Sequence, residues 1–351
     1  SNYVFSNGFY IFNVSENWNK DFVLFLLRTK KIKYVLDTHL YRGIGISTYK
    51  ESDFLKLKIP YIDIKEQNRV IEKICPIKDE LSTLKSSRIQ TMDIVNQVFS
   101  SHYEINLSDV KNIEKIRLLS IPLSDVNSRN SGLRNSLRWN KMQLIQSFIY
   151  SEIDCVETLG SFIQSTNNGW SPVSIDGGEG IRVLGQEHFS LNTILKISPS
   201  KSTEKSCNKV ENFFIKKGDF FVSRGNTVDL VGLASIVEGH IEDDIIFPDL
   251  YIKINFDESK VDKEYLAFLF NSFFGRLYFK YVAKGKNQTM VKVSAAELLN
   301  FRVPIPERKK QADIVECIKI QLEEQKDIDR KIEEKQRDID QIIEDAIRMS
   351  A

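Results

Sequence analysis

Two short polar segments carry the residue types that hold phosphates and read base edges. The first is Ser223-Arg224-Gly225-Asn226-Thr227, where a guanidinium stands beside a glycine and small polar side chains. Arg224 in this setting suits a phosphate contact or a bidentate contact with guanine, with Asn226 and Thr227 as further polar contacts. The competing interpretation is a structural Arg-Gly turn, which is the commoner use of such a pair.

The second segment is Lys284-Gly285-Lys286-Asn287-Gln288-Thr289. Its lysines can hold phosphates, and the amides of Asn287 and Gln288 can pair with adenine edges. A solvated polar loop explains the same composition equally well. The candidate DNA contacts from both segments are Arg224, Asn226, Thr227, Lys284, Lys286, Asn287, Gln288 and Thr289.

The chain has no residue pattern typical of an enzyme active site or a cofactor site. It lacks a phosphate loop ending in Lys-Ser/Thr, a Gly-x-Ser-x-Gly motif and a His-Glu-x-x-His motif. The four cysteines and four histidines are scattered, without a Cys-x-x-Cys pair or metal-ligand spacing. We therefore predict a protein without catalytic residues, metal ligands or a cofactor.

The composition is that of an ordinary globular protein, with 42% hydrophobic and 28% charged residues. Its 351 residues leave room for two domains and additional helices. No run of residues reaches the length of a membrane span, no secretory signal is visible, and scattered cysteines fit reduced thiols, so we predict a cytoplasmic location. A net charge of +1 neither requires nor excludes nucleic acid, because basic residues can gather on one face.

The elements that must position these residues are organised around the last part of the chain. After Phe301-Arg302-Val303-Pro304-Ile305-Pro306 the sequence has no further proline or glycine, and apolar residues recur at heptad spacing with charged residues between them. This pattern predicts a coiled-coil-like helix, and the alternative is a long surface helix on a globular core. The apolar seam includes Ile314, Ile318, Ile328, Ile332 and Ile339.

The same stretch occurs earlier in the chain. Lys58-Ile59-Pro60 is followed seven residues later by Gln67, as Arg302-Val303-Pro304 is followed by Gln311. The first copy continues the seam with Leu81 and Leu84, although Pro76 should kink or interrupt its helix. Residues 5–100 match residues 247–349 element by element, which indicates an internal duplication.

Many short strands with polar turns, together with helices, predict an α+β protein in which globular domains are joined by the long helices of the repeat. The first copy has no counterpart of residues 150–246, so we expect it to lack most of its globular domain. Polar clusters such as Asn127-Ser128-Arg129-Asn130 predict an exposed loop within the linker. The predicted parts are residues 1–60, the end of a first globular domain; 61–100, a first long helix; 101–150, a linker; 151–306, a complete globular domain; and 307–351, a second long helix.

The order of motifs resembles a known family, the DNA-specificity subunits of type I restriction-modification systems. The matching motifs are Gly218-Asp219-Phe220-Phe221-Val222-Ser223-Arg224-Gly225, Phe247-Pro248-Asp249-Leu250-Tyr251, Gly285 to Thr289 with Val293-Ser294, and Val303-Pro304-Ile305-Pro306 before the helix that contains Gln311. Residues 5–100 and 150–349 are similar to the family, and residues 101–150 match poorly.

This resemblance implies a function without catalysis in the chain itself. The globular domains would be target-recognition domains, each of which reads one half of a split site in double-stranded DNA. The two long helices would be spacer helices that pair as an antiparallel coiled coil and set the distance between half-sites. They would also dock DNA adenine methyltransferase subunits and, through them, the motor-nuclease restriction subunit.

Two other interpretations stay open at this point. The chain could be the C-terminal recognition region of a longer fused adenine methyltransferase or restriction enzyme, although no Asn-Pro-Pro-Tyr-type motif occurs in it. It could also be a protein adaptor whose coiled coil binds protein and whose globular domain binds no DNA. Self-association of two chains is compatible with each interpretation.

Overall fold

The fold mixes helices with short strands and includes one very long helix, which confirms the predicted α+β class. The computed structural model describes residues 11–40, 51–122, 136–199, 201–241, 244–287 and 289–350. The chain divides into two compact units. The first unit contains residues 1–88 and 323–351, and the second contains residues 89–322.

The secondary-structure elements are numbered here in chain order. The helices are α1 (Lys20–Arg28), α2 (Lys30–Val35), α3 (Glu51–Phe54), α4 (Ile64–Ser87), α5 (Thr91–His102), α6 (Leu107–Lys115), α7 (Leu137–Ile149), α8 (Lys263–Asn271), α9 (Phe273–Val282), α10 (Ala295–Leu299) and α11 (Arg308–Ser350). The strands are β1 (Val156–Thr158), β2 (Ile163–Asn168), β3 (Ile175–Asp176), β4 (Ile181–Val183), β5 (Lys201–Thr203), β6 (Phe220–Ser223), β7 (Gly225–Asn226), β8 (Ala234–Ile236), β9 (Ile245–Ile246), β10 (Tyr251–Phe256), β11 (Lys284–Asn287), β12 (Met290–Lys292) and β13 (Arg302–Pro304).

The strands of the second unit form small sheets, mostly antiparallel. Within the described residues, neighbouring strands follow the orders β1-β13, β2-β10-β6-β8, β11-β12-β7 and β3-β5-β4-β9 in their sheets. The pair β4–β9 is parallel. Strand β6 has neighbours on both sides, and each of its residues is buried. Its apolar sequence, Phe220-Phe221-Val222-Ser223, therefore fits a central strand.

Helices α8 and α9 form the centre of the second unit's core. Each residue from Tyr265 to Asn271 is buried, so α8 is enclosed on all sides. Ser272, with an extended backbone, ends α8 and caps α9 by accepting from the Phe274 N–H. The joint between the helices is tight, because a Cβ atom at Gly275 would collide with the carbonyl oxygen of Phe270. Residues 263–282 therefore form two helices rather than one continuous helix.

The two copies of the sequence repeat begin their first helices in the same way. Asn19 caps α1 by accepting hydrogen bonds from the N–H groups of Asp21 and Phe22. Asp262 caps α8 by accepting from the N–H groups two and three residues later. Such caps satisfy backbone donors that a helix start leaves without partners. The buried ring of Phe22 corresponds to that of Tyr265 at the same position in the second copy.

In the first unit, α4 and the end of α11 pack as an antiparallel pair. The order of their ion pairs gives the direction, since Arg88 joins Asp329 whereas the earlier Glu80 joins the later Lys335. The Arg88 contact is bidentate, with Nε–Oδ1 at 2.7 Å and Nη2–Oδ2 at 3.3 Å. The buried apolar seam of this pair consists of Val70, Ile71, Ile74, Leu81, Ile339, Ile343 and Ala346.

Helix α4 runs through Pro76 without interruption and ends at Ser87. The break expected at Pro76 lies instead at residues 88–90, after which α5 begins at Thr91. Pro76 is exposed, so its ring projects away from the seam. The helix tolerates the missing backbone N–H because Ile74 and Leu81, on either side of it, are buried in the core of the first unit.

Other local predictions need correction. The polar loop predicted at 284–289 begins with strand β11. The described parts of 101–150 contain α6 and α7, and α7 buries Met142, Ile145 and Ile149 in the core. The loop predicted at 127–132 lies outside the described residues.

Candidate nucleic-acid interface

A three-stranded sheet brings the two predicted DNA-contacting segments together. Strand β7 follows directly after Arg224, and it pairs antiparallel with β12 in the register Lys292↔Gly225 and Val291↔Asn226. Strand β12 also pairs with β11, where Lys292 lies opposite Lys284. Segments about sixty residues apart in sequence therefore share one small sheet, which we call the β7–β12–β11 sheet.

The backbone of Arg224 is fixed on both sides. Its N–H donates to the carbonyl of Leu250 at 2.7 Å, and its carbonyl accepts from the N–H of Val293 at 2.9 Å. The half-buried side chain donates from Nη1 to the carbonyl of Asp249 at 3.1 Å, and the Asp249 carboxylate is 3.9 Å away. Its remaining N–H groups have no protein acceptor among the described residues. The guanidinium is thus oriented, and most of its donors are available to an anion or a base edge.

Asn226 and Thr227 shape the turn that follows. Asn226 Nδ2 donates to Gln186 Oε1 at 3.2 Å, and its Oδ1 accepts from the Thr227 N–H at 2.8 Å. The carbonyl of Thr227 accepts from Leu230 N and Val231 N at 3.1 and 2.9 Å. Both the Nδ2 and the Oδ1 atoms of Asn226 therefore form hydrogen bonds within the protein. This favours a role in turn structure over base contact for this residue.

Lys284 is paired with a carboxylate in the same unit. Its Nζ lies 2.7 Å from Glu297 Oε1, and the Lys284 side chain is 82% exposed. Burial alone would raise the pKa of Glu297, but hydrogen bonds from Lys284 and Ser294 outweigh it and hold the pKa below its usual value. Glu297 also completes the capping box of α10 with Ser294. The charge of Lys284 is therefore partly neutralised before any phosphate approaches.

The rest of the 284–289 segment is described only in part. The backbone of Lys286 and Asn287 belongs to β11, while Gln288 lies outside the described residues. Thr289 is exposed at the end of the hairpin, and Met290 beside it is 49% exposed. The sheet thus presents polar groups together with one flexible apolar side chain at its tip.

Lys292 is a candidate contact that the sequence reasoning missed. It is exposed, and it has no ion pair among the described residues. Its aliphatic part passes over Gly225, where an added Cβ atom would lie 3.5 Å from Lys292 Cγ. The alternation in Met290-Val291-Lys292-Val293, with Val291 and Val293 buried, is the strand signal that places Lys292 on the exposed face.

Arg276 contacts the end of the turn that follows Asn226, at residues 229–231. Its Nη1 donates to the carbonyls of Val231 and Asp229 at 2.9 and 3.3 Å, and its Nε donates to the carbonyl of Phe270 at 3.2 Å. Burial lowers the pKa of Arg276 to about 9, against the opposing effect of Asp229, so the guanidinium stays charged at neutral pH. A charged donor on these carbonyls stabilises the end of the turn.

The predicted spacer positions differ in burial. Ile314 and Ile318 are buried in the core of the second unit, whereas Leu81 and Ile339 are buried in the first. Ile328, Ile332 and Leu84 are half-buried. The seam is thus closed at the two ends of α11 and more open in the middle, where the sequence places Gln321 and Gln325 among the apolar positions.

The described part of the chain has no helix that is both long enough and apolar enough to cross a membrane. Within the same residues, no cluster of three or more His, Cys, Asp or Glu side chains has the arrangement of a metal site.

Comparison with known proteins gives structural neighbours only. No family model matches the chain, and no curated protein matches it. Several solved structures are similar to it, and three of them align over most of its length. One comes from work on complex assembly and conformational transition of the type I R-M system; it is 13% identical, the alignment covers 93% of this chain and 70% of that one, and the TM-score is 0.43.

The other two neighbours are S subunits. The HsdS subunit from Thermoanaerobacter tengcongensis is 14% identical, with coverage of 96% of this chain and 72% of its own, and a TM-score of 0.35. The type I restriction-modification system S subunit from M. genitalium is 11% identical, with coverage of 94% and 73% and a TM-score of 0.37. These neighbours come from the kind of system whose motifs the sequence resembles. Scores of this size carry no argument about activity, which must come from the residues of this chain.

Proposed function

We propose that this chain is a non-catalytic, sequence-specific DNA-recognition subunit of a type I restriction-modification system. The observation that carries the proposal is the β7–β12–β11 sheet, in which Lys284 and Lys292 lie opposite each other on adjoining strands and Arg224 directly precedes β7. Clustered cations on a small rigid sheet suit binding to a phosphate backbone.

In this proposal the cationic side chains make different kinds of contact with DNA. Lys292 is a flexible point charge with a solvated amine, so it contacts phosphate and adds affinity for any sequence. Arg224 has a fixed backbone and a planar fork of donors, so it is the better candidate for a bidentate contact with guanine. Lys284, Lys286, Asn287, Gln288 and Thr289 extend the contact along the hairpin.

We further propose that residues 151–306 read one half of a bipartite site and that the spacer helices set the distance to the other half. The antiparallel ion pairs of Arg88 with Asp329 and of Glu80 with Lys335 support a fixed register for these helices. DNA adenine methyltransferase subunits would dock on the exposed charged faces of the helices, and the motor-nuclease subunit would join through them. The complex would act in the cytoplasm.

The test measures binding of the full chain to randomised duplex DNA, alone and with a methyltransferase subunit, at about 50 mM and about 200 mM salt. We expect affinity to fall steeply with salt and the partner to add sequence preference. Lys292→Gln should weaken binding to all sequences and reduce the salt slope by about 0.9, whereas Arg224→Gln should also relax the preference at one base pair.

Lys326→Gln is the matched control, because it removes one exposed lysine that pairs with Glu323 on α11, outside the sheet. Measured with the full chain alone, so that docking of a partner subunit on α11 plays no part, it should leave the salt slope unchanged. Absence of binding at low salt, even with the partner subunit, would reject DNA recognition and favour the adaptor interpretation. Binding that Lys292→Gln and Lys326→Gln weaken equally would reject the β7–β12–β11 sheet as the contact surface.

A further inference from the structure

One glutamine outside the predicted segments connects the elements that meet at the base of the Arg224 turn. Gln186 belongs to a short helical turn between β4 and β5. Its Oε1 accepts from Ser223 Oγ at 2.7 Å and from Asn226 Nδ2 at 3.2 Å. Its Nε2 donates to the carbonyl of Leu250 at 2.9 Å. One amide thus touches the end of β6, strand β7 and the residue before β10.

The carbonyl of Leu250 receives two hydrogen bonds, one from Gln186 Nε2 and one from the backbone N–H of Arg224. A carbonyl oxygen has two lone pairs, so both bonds can form together. The side chain of Gln186 and the backbone of Arg224 are therefore joined through a single atom. Movement of the Gln186 amide removes one of the two donors that fix this carbonyl.

The position of Gln186 is itself well determined. His188, two residues later, is buried, and its Nδ1 accepts a hydrogen bond from the Gly185 N–H at 2.8 Å. The hydroxyl of Tyr251 donates to the Gly185 carbonyl at 2.7 Å. The turn that carries Gln186 is thus anchored to β10, close to the carbonyl that Gln186 contacts.

We propose that Gln186 is a positioning residue for DNA readout, one that orients Arg224 without contacting DNA itself. This inference rests on the proposed function and deepens it. The hydrogen bonds that Gln186 accepts from Ser223 and Asn226 and donates to Leu250 hold these residues in one arrangement. The Arg224 guanidinium therefore meets the base edge at one angle. Base discrimination depends on that angle, whereas phosphate attraction depends mainly on charge.

The test compares the wild-type chain with Gln186→Met, a change of similar shape that removes the three hydrogen bonds and no charge. A randomised duplex library, selected with the methyltransferase subunit present, supplies the preferred sequence. We expect Gln186→Met to lower the affinity ratio of preferred to random duplex by about tenfold. Affinity for random duplex and the salt slope should stay within about twofold, because the cations are retained.

Asn255→Leu is the matched control, since it removes an exposed amide contact to Ser165 in the β2-β10-β6-β8 sheet. It should leave the affinity ratio unchanged. Should Gln186→Met fail to fold, Ser223→Ala removes one donor to Gln186 and should lower the same ratio less. Hydrogen exchange at the Arg224 amide gives a second measure, and it should accelerate in either Gln186→Met or Ser223→Ala.

The outcomes separate the two proposals. If the wild-type chain neither binds nor selects DNA, the proposed function fails. If the wild-type chain selects a sequence but a folded Gln186→Met selects it equally well, only the positioning role fails. An equal loss of preferred and random binding in Gln186→Met would also overturn the positioning role, because it would show a general loss of the surface.

Discussion

Gln67 and Gln311 make the same three hydrogen bonds in the two copies of the internal repeat. Gln67 Nε2 donates to the carbonyls of Ile62 and Asn17 at 2.8 and 3.2 Å, and its Oε1 accepts from the N–H of Asn19 at 2.8 Å. Asn19 is the residue that caps α1. The glutamine therefore joins the start of α4 to the turn before α1.

In the second copy, Gln311 Nε2 donates to the carbonyls of Pro306 and Lys260 at 2.7 and 3.1 Å. Its Oε1 accepts from the N–H of Asp262, which caps α8, at 2.8 Å. Both glutamines are fully buried. The duplication seen in the sequence thus extends to the partners of individual atoms.

Methionine at Gln67 or Gln311 should destabilise the unit that contains it. The change keeps the shape of the side chain but leaves a buried N–H and two carbonyls without their partner, at about 1–3 kcal/mol for such a loss. Urea denaturation measures the change in free energy of unfolding. Hydrogen exchange locates it, since Gln67→Met should speed exchange at Asn19 and Gln311→Met at Asp262.

Gln341→Met serves as the control for both variants, because Gln341 is exposed and its one hydrogen bond to another side chain within the described residues goes to Asp345, at 2.7 Å. It should change stability by less than about 0.5 kcal/mol. Equal effects of Gln341→Met and Gln311→Met would contradict the special role of the buried pair.

The parts of the fold that could be predicted are those with local or repeated signals. The heptad spacing of Ile314 and Ile318 and the recurrence of Gln67 at Gln311 are visible along the chain. The β7–β12–β11 sheet is different, since β7 has two residues and β11 is polar and contains Gly285. No period of apolar residues marks such strands, and only their pairing with β12 defines them.

The sequence also does not predict which side chains contact each other. Lys284 was predicted from its charge, but its contact with Glu297 depends on how α10 follows the hairpin. No sequence motif marks Gln186, because the three residues with which its side chain forms hydrogen bonds lie between 37 and 64 positions later in the chain. The helix α7 was predictable in principle, because Met142, Ile145 and Ile149 have helical spacing and are buried on one side.

The contact between Arg88 and Asp329 should contribute measurably to pairing of the spacer helices. Most exposed ion pairs contribute little, but bidentate geometry places this one near the upper end of about 0.2–1 kcal/mol. A double-mutant cycle with Arg88→Ala and Asp329→Ala, followed by thermal unfolding, measures the coupling energy. High salt should reduce it. The same cycle at Glu323 and Lys326, one turn apart on α11, should give a smaller value.

Pro76→Ala should stabilise the first unit. Alanine supplies the backbone N–H that α4 lacks and is about 3 kcal/mol more favourable than proline inside a helix. The greater freedom of the unfolded chain offsets about 1 kcal/mol of this gain, which leaves a net increase of about 2 kcal/mol in the free energy of unfolding. Denaturant titration measures it. A loss of stability would mean that the Pro76 ring shapes α4 for packing.

Glu297→Gln should strengthen DNA binding, if the β7–β12–β11 sheet is the contact surface. The carboxylate of Glu297 now neutralises Lys284 at 2.7 Å. Glutamine retains the capping contact to Ser294, because glutamine also serves in a capping box, but it frees the charge of Lys284 for a phosphate. One added phosphate contact should steepen the salt slope by about 0.9 and raise affinity on the order of tenfold at about 0.1 M salt.

Measurements of the wild type at lower pH provide the control for this variant. Hydrogen bonds hold the pKa of Glu297 below its usual value, so the carboxylate stays charged at neutral and mildly acidic pH and Lys284 stays paired. Release of Lys284 through this group should begin only as the pH falls below the usual range of a glutamate. A Lys284→Gln/Glu297→Gln double variant should lose the gain. If the double variant binds DNA as tightly as Glu297→Gln, the gain does not come from Lys284.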